Sequence, residues 1–186
     1  MLSLPRVELQ KPLIEDWRPE IVKAVLVRQE AQALDELYEY PLPEVAATEA
    51  ELVDAERVVG ALDPRYRSLL RFANGWKGFL QGVDLFGTAQ LLGGPLKQIA
   101  TAGQREVTGS GIFNDVGFRI DDALAIGASD TQADLWFISA AGDEGAGKVL
   151  WFWGDGFEVF GSFDEFFLSM VDYNRLELQR LKKGDK

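Results

Sequence analysis

Apolar residues recur at helical spacing between Thr48 and Ala73, give way to short runs at strand spacing beyond Trp76, and return to helical spacing at Ser162. In the first stretch Leu52, Ala55, Val59 and Leu62 form one stripe, and Tyr66, Leu69, Leu70 and Ala73 form a second. Such spacing places each set on one face of a 3.6-residue helix. Thr48 followed by Glu51 predicts a capping box, in which hydroxyl and carboxylate each take an orphan N–H, and Gly60 closes the helix. Asp63 then caps a second helix with Pro64 at its first position, where a missing N–H costs nothing, and Asn74-Gly75 stops it.

Beyond Trp76, Phe79-Leu80 and Val83 to Phe86 are bounded by Gly78, Gly82 and Gly87, which predicts a tight hairpin. Leu91 to Gly94 reads as a turn, Pro95 to Ala102 as a short helix, and Gly103 to Asp115 as a polar loop. Strands are predicted at Ala123 to Ile126, Leu135 to Ser139, Val149 to Trp153 and Phe157 to Phe160, with turns at Asp143 to Gly147 and Gly154 to Gly156. Strands joined by short turns imply an antiparallel meander rather than parallel crossovers. Ser162 with Glu165 makes a second capping box, and Phe163, Phe166, Phe167, Met170 and Val171 give the closing helix its buried face. Helices before and after a run of strands define an α+β fold, an antiparallel-rich sheet backed by helices on one face. Upstream, Pro19-Glu20 opens a helix expected to reach about Tyr40, and Pro41-Leu-Pro43 links it onward. The organisation is therefore a helical extension over 1–47 packed on the main domain, an α+β domain over 48–174, and a basic helix end over 175–186.

Leu62, Pro64, Tyr66, Leu69, Leu70 and Asn74-Gly75-Trp76, preceded by a capped helix with an acidic first turn, resemble the signature of the SUKH superfamily. Phe157 to Phe160 followed by Ser162-Phe163-Asp164-Glu165-Phe166 is similar to that family's closing strand and helix, and Ala123 to Gly127 with Asp130 to Phe137 to its central strands. The resemblance covers Thr48 to Val171. SUKH proteins are α+β domains related to the fungal Smi/Knr cell-wall-synthesis regulators, and bacteria use many of them as immunity proteins against secreted toxins. The resemblance implies a non-catalytic protein-binding module that occludes a cognate toxin, such as a nuclease. A cell-wall or signalling scaffold with several partners is the alternative, and a carbohydrate-binding protein a third.

Composition narrows the chemistry. The chain of 186 residues has no cysteine and no histidine. Thiolate zinc sites, Ser-His-Asp and Cys-His catalysis are excluded, and the usual general base near neutral pH is missing. Neither a catalytic residue, a cofactor nor a metal is expected. The first residues carry Glu8, Glu15 and Asp16 without a continuous apolar core, so a signal peptide is not expected; nor is a membrane span, and the expected location is the cytoplasm.

The formal net charge is −11, unevenly placed. Between Asp115 and Glu165 eleven acids face only Arg119 and Lys148, whereas the tail from Arg175 is basic. Such a field repels nucleic acid and anionic lipid and steers cationic partners, though solubility alone also accounts for an acidic surface. Asp130 to Asp134 lacks the alternating ligands and terminal Glu of a calcium loop, which leaves turn chemistry and solvation. Gly109-Ser-Gly111 lacks the third glycine and the strand–helix context of a dinucleotide fingerprint. Trp151 and Trp153 share one side of their strand and Phe152 takes the other, so both sides are apolar. Either both are covered, or one offers an aromatic patch to a partner protein or a sugar ring. Combining charge with aromatics, the expected partner surface draws on Trp76, Asp84, Asp121, Asp122, Asp130, Asp134, Trp136, Glu144, Trp153 and Asp155, facing a toxin or other protein with a basic surface.

Overall fold

A computed structural model describes residues 13–35, 42–108, 113, 116–140 and 145–184. Its elements run α1 (Trp17–Gln32), α2 (Glu49–Val59), α3 (Pro64–Leu70), β1 (Trp76–Leu80), β2 (Val83–Leu85), α4 (Thr88–Leu92) and α5 (Pro95–Val107). A short 3-10 turn at Ile120–Asp122 leads into β3 (Leu124–Ala128), β4 (Asp134–Ile138), β5 (Val149–Trp153), β6 (Phe157–Phe160) and α6 (Phe163–Lys183). The six strands form one sheet in sequence order, each antiparallel to the next. The fold is thus the α+β meander expected from the strand pattern.

Local chemistry sets the helix ends. Thr48 accepts the Glu51 N–H while the Glu51 carboxylate takes the Thr48 N–H at 2.7 Å, a complete capping box. Those bonds hold the Glu51 carboxyl below its ordinary range. Asp63 accepts the N–H groups of Arg65 and Tyr66 ahead of Pro64. At α6, Ser162 accepts the Glu165 N–H, but the Glu165 carboxylate reaches the Gly161 N–H at 2.7 Å, one residue before the position a capping box requires. Helix α1 starts from Asp16, not at Pro19, and stops at Gln32; residues 36–40 of the expected helix lie outside the described residues.

Asn74-Gly75 is not the stop of α3, which ends at Leu70 with Arg71 as its C-cap; its role is elsewhere. The Asn74 side chain accepts the Thr88 N–H at 2.8 Å and donates to the Thr88 hydroxyl at 2.9 Å, so it serves α4 as a cap from a distance. The backbones meet closely there. A Cβ on Gly87 would lie 2.0 Å from the Asn74 carbonyl oxygen, and one on Gly75 would lie 2.5 Å from the Gly87 nitrogen. Only glycine fits at such a crossing.

Both faces of the sheet are covered, where a helical layer on one face was expected. Trp136 of β4 packs edge-on against Phe166 of α6, with ring centroids 5.2 Å apart. Its neighbour Leu135 must point to the opposite face. There it meets α5, so closely that a Cβ on Gly103 would stand 2.4 Å from the Leu135 Cδ1. Ala100 and Gly103 let α5 lie close on the sheet, flanked on the same face by Leu96 and Val107, which pack against the core. The helix also continues to Val107, through the start of the stretch expected to be a loop.

Helix α1 lies along α6 in a parallel sense. Trp17 contacts Phe163 and Phe167 near the start of α6, Ala31 clusters with Leu178, and Lys182 pairs with Glu30. The start of α1 is tied to α6 by Asp164, fully buried at 0% exposure. Asp164 accepts the Ile14 N–H at 2.8 Å and both Arg65 Nε at 2.8 Å and Arg65 Nη2 at 2.7 Å. The Arg65 guanidinium also sits 5.4 Å from the Trp17 ring centroid, and the carboxylate raises its pKa further above the ordinary arginine value.

Candidate functional site

The register of the last three strands builds the site. Asp134 stands opposite Trp153, Trp136 opposite Trp151, and Trp151 opposite Glu158. Paired residues share a face and alternate residues return to it, so all five side chains project to the α6 side. Helix α6 covers them unequally. Trp136 is fully buried, Trp151 is half-buried, and Trp153 is 37% exposed.

This graded row is held by its own polar contacts. The Trp151 Nε1–H donates to Asp134 Oδ1 at 2.6 Å, and the Tyr173 hydroxyl, reaching from α6, donates to Glu158 Oε2 at 2.9 Å. The Trp151 ring meets Trp153 at 5.1 Å and Tyr173 at 5.5 Å, both steeply inclined, as aromatic quadrupoles favour. Trp153 rests against the turn at Gly156, where an added Cβ would fall 2.6 Å from its indole. The intervening Asp155 is exposed, its N–H folded back to the Trp153 carbonyl at 3.1 Å. Among the described residues, Asp130, Asp134 and Asp155 take part in no ion pair. Negative charge thus stands opposite the half-open indole at Asp134 and in the adjoining turn at Asp155.

The remaining expected residues do not converge on this point. Trp76 at 1% exposure and Trp136 at 0% are core residues and cannot belong to a contact surface, which corrects their assignment. The reason is the aromatic layer under α1 and α6: Trp76 packs on Phe79, which in turn meets Trp136 and Phe167. Asp84 is half-buried in β2 and accepts the Gly78 N–H at 2.7 Å. Burial raises its pKa above the usual carboxylate value. Its register with Ala128, itself opposite Leu135, sets Asp84 on the α5 face, away from Trp153. Asp121 and Asp122 are exposed on the 3-10 turn, where Asp122 pairs with Arg119 at 2.5 Å. Asp130 is exposed in the β3–β4 turn, which Ser129 Oγ organises by accepting the N–H groups of Thr131 and Gln132. Glu144 lies outside the described residues.

The structure therefore sets Asp134 opposite Trp153, with Asp155 in the adjoining turn, and adds Trp151, Glu158 and Tyr173, which lay outside the expected contact set. The alternation of Trp151 with Trp153 was a usable signal. Tyr173 carried none, because nothing local says which residue of a long helix reaches a strand.

Among the described residues no group of acids could hold a metal ion, and no helix is long and apolar enough to cross a membrane. Comparison with known protein families matches no family model, and comparison with characterised proteins returns no match.

Proposed function

We propose that this chain is a non-catalytic protein-binding module of the SUKH type, acting in the cytoplasm as an immunity protein that neutralises a cognate toxin. The observation that carries the reading is the half-open indole of Trp153, with Asp134 opposite it across the strands and Asp155 two residues along the turn, neither carboxylate in an ion pair among the described residues. The net charge of −11 adds a field that speeds encounter with a basic surface, such as that of a nuclease. Aromatic anchors within a polar rim are where binding energy concentrates in protein interfaces.

The test is co-expression with toxin-domain proteins encoded beside its own gene. The expected outcome is survival of the host cells together with a stoichiometric complex on gel filtration. Charge reversal at Asp130 and Asp155 should slow association and flatten its salt dependence. Absence of both protection and complex would overturn the reading.

A further inference from the structure

The geometry points to an arginine side chain of the partner as the group that occupies the Trp153 site, its guanidinium laid on the open part of the indole and forked onto the Asp134 and Asp155 carboxylates. This inference rests on the protein-binding reading above and names its anchor.

The molecule already builds this arrangement once from its own residues. Arg65 lies 5.4 Å from the Trp17 ring centroid while its Nε and Nη2 donate to Asp164 at 2.8 and 2.7 Å. Indole, guanidinium and carboxylate are satisfied together there. At the surface site the indole and carboxylate are present in cross-strand register, Trp153 opposite Asp134, with a second carboxylate two residues along the turn at Asp155. Among the described residues no cation pairs with either carboxylate, and a partner's arginine would complete the set.

The site is also held ready. Trp151 fixes Asp134 by its indole N–H and abuts Trp153 edge-on, while Gly156 supports the Trp153 ring from the turn. An anchor that needs little ordering on binding loses less affinity to conformational entropy. Arginine fits better than lysine. Its planar guanidinium stacks on an aromatic face, offers a fork of donors to carboxylates, and sheds water more readily than a compact ammonium. A sugar ring could stack on Trp153 and donate hydroxyls to the carboxylates, but it would not offset their charge.

The probe is a pair of short end-capped peptides, one bearing arginine and one with lysine at the same positions, titrated into the full chain while the indole and backbone N–H signals are followed by NMR. A linear β-linked glucose oligosaccharide serves as third ligand. The expected result is a saturable shift of the Trp153 indole signal with the arginine peptide, at least about fivefold tighter than with lysine. Asp155→Asn should weaken binding several-fold, Trp153→Ala should abolish it, and Trp153→Phe, which keeps a ring in place, should leave an intermediate affinity. Equal responses to arginine and lysine, shifts confined to the Asp121–Asp122 turn, or a Trp153 response to the sugar alone would overturn the proposal. Failure of the anchor and failure of the immunity reading separate cleanly. A toxin still neutralised by the Trp153→Ala protein removes the anchor and keeps the reading, whereas arginine binding at Trp153 with no toxin neutralised removes the reading and keeps the anchor.

Discussion

Replacing Asp164 by alanine should be among the most damaging single changes to stability. Asp164 is fully buried and accepts three charge-assisted hydrogen bonds, from Ile14 N and from Arg65 Nε and Nη2. Bonds to a charged group are worth about 1.5–3 kcal/mol each, and breaking one partner of a buried ion pair costs about 3–5 kcal/mol because the other charge is stranded. The Arg65 side chain keeps 35% exposure, so water recovers part of its solvation. That places Asp164→Ala at about 3 kcal/mol, or a fall in melting temperature of about 6–12 °C for a chain of this size. Urea unfolding followed by circular dichroism measures the loss. A double-mutant cycle with Arg65→Ala isolates the pair, and a coupling of about 2 kcal/mol is expected. Asp164→Asn keeps an acceptor for Ile14 and should lose about half as much. A loss below about 1 kcal/mol for Asp164→Ala, or strict additivity in the cycle, would refute the assignment of Asp164 as the group that ties α1 to α6.

Four further substitutions have expected outcomes. Thr48→Ala removes the hydroxyl of the complete capping box and should cost about 1 kcal/mol in urea unfolding, with little change in affinity for any partner. Gly87→Ala would drive a Cβ to 2.0 Å from the Asn74 carbonyl oxygen, backbone against backbone, and should cost at least about 2 kcal/mol. Gly103→Ala meets only the end of the Leu135 side chain, which can rotate aside, and should cost about 1 kcal/mol; calorimetry of the two variants side by side checks the contrast. Burial raises the folded-state pKa of Asp84, so between its unfolded and folded values the native state binds more protons and stability falls as pH rises. Asp84→Asn should therefore be more stable than the parent above the folded pKa, and the difference should vanish as pH falls below the unfolded carboxylate value; a difference that grows on acidification would contradict the sign.

Features whose cause lies within a few residues were legible in the sequence. The Thr48–Glu51 box, the Asp63-Pro64 start and the strands at Val149–Trp153 and Phe157–Phe160 all stand where the pattern put them. The second covering layer was not legible, since the stripe of α5 through Leu96, Ala100, Gly103 and Val107 marks a buried helix face without saying which face of the sheet it meets. Asn74-Gly75 read as a helix stop, yet its close approach to Gly87 depends on a residue twelve positions further on. The site shows the same division. Alternation placed Trp151 and Trp153 on one side, but the fate of each indole depends on how far α6 extends over the sheet. Thus Trp136 disappears into the core while Trp153, a strand away, stays half open.

The sequence-order sheet and the α1–α6 pairing differ in when they can form. Four of the five strand pairings close across short connections and the fifth, β2 to β3, across the segment that carries α4 and α5, whereas the Ile14–Asp164 bond spans 150 residues. Closing a loop of that length costs about 4 kcal/mol of chain entropy beyond a constant, against far less for a hairpin. On loop length alone the hairpins are expected to assemble before α1 docks, which would put the Ile14–Asp164 contact on the native side of the folding barrier. Interactions made that late slow unfolding without hastening folding. In kinetic terms the join between α1 and α6 acts as a lock on the finished protein, governing how long a folded molecule lasts more than how quickly one is made.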